Sequence, residues 1–178
     1  MCQFRFNAGV TLIELLITIT VIAILAAVAV PSFAETLIRN QTASQNNELV
    51  ALIHLGRNEA IRRNPQGGSI DTQTVRVELA PNGNSWAGFV RPPTDDETAD
   101  GCPEGTIRCS ENQSVVLTLV DGPAPIRFDN RGYSVNAAGN PARVRVQLNH
   151  VRASSDRHRR CLTIFPGGQV RSDEGVCP

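Results

Sequence analysis

The feature that most constrains this chain is a run of apolar residues that begins almost at once. From Val10 to Phe33 there are 24 residues interrupted by one charge, Glu14. Leu15 to Val30 carries no charge, and its most polar members are Thr18 and Thr20. At about 1.5 Å rise per residue, a helix of that length crosses roughly the 30 Å of bilayer hydrocarbon. Arg5 and the amino terminus place positive charge ahead of the run, which predicts a single pass with the N-terminus cytoplasmic and the rest periplasmic. A carboxylate in hydrocarbon costs a few kcal/mol, so Glu14 marks a functional pairing rather than an anchor's ornament.

The run is not arranged as a secretory signal. Such signals place small residues and the cleavage site after the apolar stretch. Here the small residues of "NAG" precede it, so a cut would leave the apolar helix on the mature protein and remove residues 1–9 with Cys2. Cys102, Cys109, Cys161 and Cys177 remain, an even number beyond a membrane segment, as disulfides in an oxidising compartment require. Three pairings are open to four cysteines. The expected one joins Cys102 to Cys109, closing an acidic loop, and Cys161 to Cys177, tying the tail to a strand.

"GVTLIELL" after a short leader with a basic residue resembles the class III signal of type IV pilins and type II secretion pseudopilins. The resemblance implies that a prepilin peptidase cuts after Gly9 and methylates the new N-terminus at Val10, where phenylalanine is more usual. It also implies a role for Glu14, five residues into the mature chain. In a filament its carboxylate would pair with the N-terminal amine of a neighbour and set the axial register between helices. Pro31 removes a helix hydrogen bond and predicts a kink or local loosening where the helix leaves the bilayer.

Beyond the bilayer, 32–64 reads as continued helix. Leu49, Ile53, Gly56 and Ala60 form an apolar stripe at steps of four, three and four, widened by Leu52 and Leu55, while "RRNP" closes the helix. The expected divisions are a leader at 1–9, a transmembrane helix at 10–33, its amphipathic half at 34–64 and a β-rich globular domain at 65–178. Within that domain the periodicity changes to two. Strands are expected at Val75–Leu79, Ser85–Val90, Ser114–Leu119, Ile126–Phe128, Arg143–Leu148, Leu162–Phe165 and Gln169–Arg171. "PNGN", "DNRG" and "FPGG" supply turns. The stretch from Arg91 to Asn112 is acidic and rich in turn formers, and reads as a surface loop.

"LGRNEAIRRN", "WAGF", "PIRFDNRGY" and "CLTIFPGGQVR" together resemble the FimT and GspH group of minor pilins. The implied fold is α+β: a long N-terminal helix packed on antiparallel β-sheets. The implied partners are other pilin or pseudopilin subunits, the prepilin peptidase and the membrane.

No constellation in the sequence points to catalysis. His54 lacks an acid or cysteine at ligand spacing, His158 lies three residues before Cys161 without a C-x-x-C companion, and "SSDRH" is a sequence neighbourhood rather than a triad. No enzyme activity, metal or cofactor is expected. Charge is distributed unevenly although the net is zero. Residues 64–121 carry three arginines against nine acids; residues 122–178 carry nine against four. All 17 basic residues are arginine. Arg143 and Arg145 share a strand face opposite Val144, Val146 and Leu148, and Arg152, Arg157, Arg159, Arg160 and Arg171 follow, a patch suited to the phosphates of duplex DNA. The resemblance supports that partner through a C-terminal G-R-x-R motif, from which Gly168–Arg171 departs at Gln169. The function expected is a minor type IV pilin in pilus assembly, with DNA uptake as one output; the alternative is a pseudopilin of type II secretion.

Overall fold

A computed structural model describes residues 10–63, 74–82, 85–91, 108–112, 114–153 and 155–178. The apolar run and the stripe behind it form one element, α1, Leu12–Arg63, 52 residues and so about 78 Å long. It runs through Pro31 without a break. The chain divides into two units within this helix, between Leu37 and Ile38.

In the first unit the described side chains stand exposed, from Val10 to Leu37. Thr18 and Thr20 turn their hydroxyls back onto the Leu15 and Leu16 carbonyls at 2.8 and 2.7 Å. Those bonds satisfy both hydroxyls locally, as an apolar surrounding demands. The helix is long and apolar enough to cross a membrane.

In the second unit α1 buries one stripe. Leu49, Ile53, Gly56 and Ala60 lie on it, and Thr42 and Asn46 extend it by two turns toward the N-terminus. These buried polar residues are satisfied: Thr42 donates to the Ile38 carbonyl at 3.0 Å, and Asn46 Oδ1 accepts from Ser172 at 2.7 Å. At the helix end Arg62 and Arg63 bracket Glu59. Hydrogen bonding from Arg62, helped by Arg63, holds its carboxyl below the usual carboxylate range against the opposing effect of burial.

The stripe packs on two antiparallel sheets. One, ordered β3-β2-β1-β5-β6, is built from Val75–Asn82 (β1), Ser85–Arg91 (β2), Arg108–Asn112 (β3), Ile126–Phe128 (β5) and Ser134–Val135 (β6). The other, ordered β4-β7-β8-β9, comprises Val115–Asp121, Val144–His150, Arg160–Ile164 and Val170–Glu174. Leu49 and Ile53 join Val75, Val77 and Phe128 of the first sheet and Val144, Leu148 and Ile164 of the second in one core, each fully buried. Gly56 permits the closest approach: a Cβ there would meet Val77 Cγ2 at 2.5 Å.

One expectation is corrected. The polar stretch 91–112 is not loop throughout, because Arg108–Asn112 forms β3, paired with β2 from Val90↔Arg108 to Trp86↔Asn112. A backbone ladder on a strand edge needs no apolar alternation, so "RCSEN" gives no sign of it.

Candidate functional site

The first candidate is the start of α1. Thr11 is its N-cap: its hydroxyl accepts from the Glu14 N–H at 3.2 Å, and its carbonyl accepts from Leu15 N–H at 3.1 Å. "TLIE" therefore holds the capping-box spacing, and Glu14 sits in the first turn, where the helix dipole favours a negative charge. The sequence reading of Glu14 missed this local role, although threonine three residues before the acid signals it. The carboxylate itself makes no hydrogen bond or ion pair among the described residues. It is the one charged side chain between Val10 and Ala34.

The second candidate is the arginine face, and the structure redistributes it. Arg145 is not on an open solvent face. Its side chain is 23 % exposed, it pairs with Asp121 at 3.1 Å, and it reaches the Pro178 carbonyl. Arg159 pairs with Asp156, Arg160 with Glu174 and Arg171 with Asp173, each at 3.0 Å. Glu174 also takes Arg39 of α1 at 3.6 Å. Four of the seven arginines are thus matched by carboxylates, and for two of them, Arg145 and Arg160, the partner lies 24 and 14 residues away in sequence. Arg143 lies over the Phe165 ring at 5.7 Å, a cation–π distance. Arg152 is exposed and makes no ion pair among the described residues.

The chain's tail explains why this face is closed. Gln147, on the same side of β7 as Arg145, is 5 % exposed. It donates to the Arg160 and Gly175 carbonyls at 3.0 and 3.1 Å and accepts from the Cys177 N–H at 2.7 Å. Cys161 and Cys177 are joined by a disulfide with 4.9 Å between Cα atoms. Closing a loop of 16 residues stabilises by about 3 kcal/mol on the chain-entropy model. Gly9 and Cys102, and with them the expected cut and the Cys102–Cys109 bridge, lie outside the described residues, as does the Arg157 side chain.

The third feature is His150, for which the sequence offered no partner. It is 5 % exposed at the end of β7. Its Nδ1 accepts from the Arg152 N–H at 3.0 Å, so the proton sits on Nε2 and is donated to Gln41 Oε1 of α1 at 2.7 Å. Burial foremost, then the charges of Arg152 and His158, push it below the ordinary histidine range. This is a neutral histidine pinning the 150–153 turn to the helix. Among the described residues no group of three His, Cys, Asp or Glu is placed to hold a metal.

About a third of the way along the chain, Arg57 of α1 clamps two turns. Its Nε donates to the Gly132 carbonyl at 3.0 Å, and its guanidinium lies 3.5 Å from the Gly167 carbonyl. Gly168, at φ +74°, has no room for a side chain: a Cβ would fall 2.0 Å from the Gly132 oxygen. "LGRNEAIRRN", "RFDNRGY" and "FPGG" thus meet at one point of the fold.

A lone acid at the capped front of an exposed apolar helix, continued into a helix packed on antiparallel sheets, defines a pilin-type subunit. Comparison with known families agrees. A model of the prokaryotic N-terminal methylation motif matches residues 4–30, and one described as type II transport protein GspH matches residues 45–168. The chain belongs to the GspH family, within the pilin and pseudopilin superfamily whose members are structural subunits of pilus or secretion assemblies. No curated protein and no solved structure matches it.

Proposed function

We propose that this protein is a minor type IV pilin of the FimT type, cut by prepilin peptidase after Gly9, methylated on Val10 and built into a pilus from the inner membrane with its β-domain periplasmic. The observation that carries the reading is Glu14, a lone carboxylate on an otherwise apolar helix front. In hydrocarbon it gains most from a cation, and the amine exposed by cleavage of a neighbouring subunit is the cation the geometry of stacked helices offers. Thr11 caps the helix and holds Glu14 in the first turn, close to the level at which that amine would lie. Pro31 remains the expected site of loosening on assembly. The test is Gly9→Val: uncleaved protein should stay in the membrane and be absent from sheared filaments, and its presence there at the normal level would refute the proposal.

The second reading, a pseudopilin of type II secretion, is favoured by the description of the matching family. Deleting the gene separates the two. Loss of surface pili with normal export of secreted enzymes supports the first; the reverse supports the second.

Duplex DNA is the proposed ligand of the arginine face, in a narrower form than charge alone suggests. Arg145, Arg159, Arg160 and Arg171 are engaged by carboxylates, so Arg143 and Arg152 carry the proposal, with Arg157 kept from the sequence pattern. Exposed pairs hold by only about 0–1 kcal/mol and can exchange for phosphate. The full chain in detergent should retard duplex DNA at low salt and lose the retardation with Arg143, Arg152 and Arg157 all changed to Ala. Retardation unchanged in that variant would rule the site out.

A further inference from the structure

The chain enters its second unit through the first helical turn after Leu37, and two strand ends are fixed to that turn. His150, the last residue of β7, is held by Gln41 at 2.7 Å. Glu174, the last of β9, takes Arg39 at 3.6 Å. Gln41 follows the end of the apolar run at Phe33 by eight residues, about 12 Å of helix. The headgroup layer outside the hydrocarbon is itself about 5–7 Å deep, and charges act over a further ~8 Å at physiological salt. Side chains held beside Gln41 are thus within electrostatic reach of lipid phosphates.

Val151 and Arg152, directly after His150, are the ones held there. Their turn is braced by its backbone. Val151 N–H donates to the Ser114 carbonyl at 3.0 Å, and Ala153 N–H to the His150 carbonyl at 2.9 Å. Arg152 N–H donates to His150 Nδ1 at 3.0 Å. The side chains face outward: Val151 is 41 % exposed, and Arg152 is exposed beside it. Residues 34–41, 150–160 and 174 together carry five arginines against three acids. Two of those acids are engaged, Asp156 by Arg159 and Glu174 by Arg160 and Arg39. The Arg159 pair is exposed, and such a pair can exchange for phosphate. A rigid tip with an apolar residue next to an arginine suits a membrane surface, where apolar groups enter the acyl boundary and cations meet anionic headgroups.

We propose that this turn rests on the bilayer and binds the headgroups of anionic phospholipids. Arg152 meets lipid phosphate, Arg159 supports it, and Val151 enters the interfacial layer. The contact ties the β-domain to the membrane surface while the subunit waits there. It presupposes the bilayer-spanning reading of α1, and neither Gly9 nor Glu14 enters it.

The test uses the full chain, isotopically labelled, in nanodiscs of phosphatidylcholine alone or of an equal mixture with phosphatidylglycerol. Each disc is doped with a lipid carrying gadolinium on its headgroup, and relaxation of the backbone amides is read by NMR. Relaxation at Val151 and Arg152 should be roughly fivefold stronger in the anionic discs, the effect of one arginine at such a surface. High salt should return it to the neutral-disc value, and so should Arg152→Gln. Arg131→Gln, on the turn that meets Arg57 far along α1, should change nothing. Unshifted resonances from Leu49 to Ala60 show that each variant is folded. Equal relaxation in the two kinds of disc would overturn the proposal and leave the span intact; failure to insert into either would overturn both. Enhancement that survives Arg152→Gln would also overturn it. If duplex DNA shifts Val151 and Arg152 in neutral discs while anionic lipid has no effect, the turn belongs to nucleic acid instead.

Discussion

The two halves of α1 follow opposite rules. In the first, apolar side chains are turned outward on all sides: Leu12 is 82 % exposed and Val28 73 %. In the second, a stripe recurring every three or four residues is buried, and Leu49 and Ile53 are at 0 %. The backbone is the same; the difference lies in what the side chains meet. A helix apolar all round is made for lipid or for other helices, whereas a striped one is made for its own domain. The same kind of substitution should therefore act on assembly in one half and on folding in the other.

The sharpest way to break that comparison is a matched pair of truncations. Ile53→Ala should cost about 2–5 kcal/mol of domain stability, lowering the thermal midpoint by roughly 10 °C. Ile22→Ala should leave the midpoint where it was. Equal shifts in the two variants would remove the distinction. A second effect of similar kind but smaller size is expected at the tail. Cys161→Ser with Cys177→Ser should cost about 3 kcal/mol, seen as a lower midpoint under oxidising conditions and a smaller response to reductant than the wild type's.

A smaller effect follows from His150. Its native pKa is lowered, so at neutral pH both folded and unfolded states hold it uncharged and no stability depends on it. As pH falls below about 6.5 the unfolded chain takes up the proton first. Stability should therefore be flat above that value and decline below it, until the native histidine charges too. Melting curves between pH 7 and 5 should show the decline, and His150→Gln should flatten it over that range. A wild-type midpoint that rises on acidification would contradict the assignment.

Much of this fold is legible in the chain because its signals are local. The apolar run, the four-three-four stripe ending at Ala60, and the alternation of Val75, Val77 and Leu79 each announce an element within a few residues. What stays hidden depends on partners far away in sequence. Thr42 and Asn46 look like solvent-facing positions until Ser172 is brought to Asn46 from 126 residues away. Arg145 and Arg160 look free until strand register sets them beside Asp121 and Glu174. β3 is invisible because its strand character comes from the edge of β2. The cap at Thr11 is the exception, a local signal that "TLIE" states plainly.

The central claim is that Glu14 serves neighbouring subunits and not the fold of its own domain. The most direct measurement is the amount of Glu14→Gln protein in sheared filaments, taken with the thermal midpoint of the same variant. The account predicts that recovery falls roughly tenfold or more, as the loss of one buried ion pair allows, while the midpoint does not move. Normal recovery of the variant in filaments would contradict it.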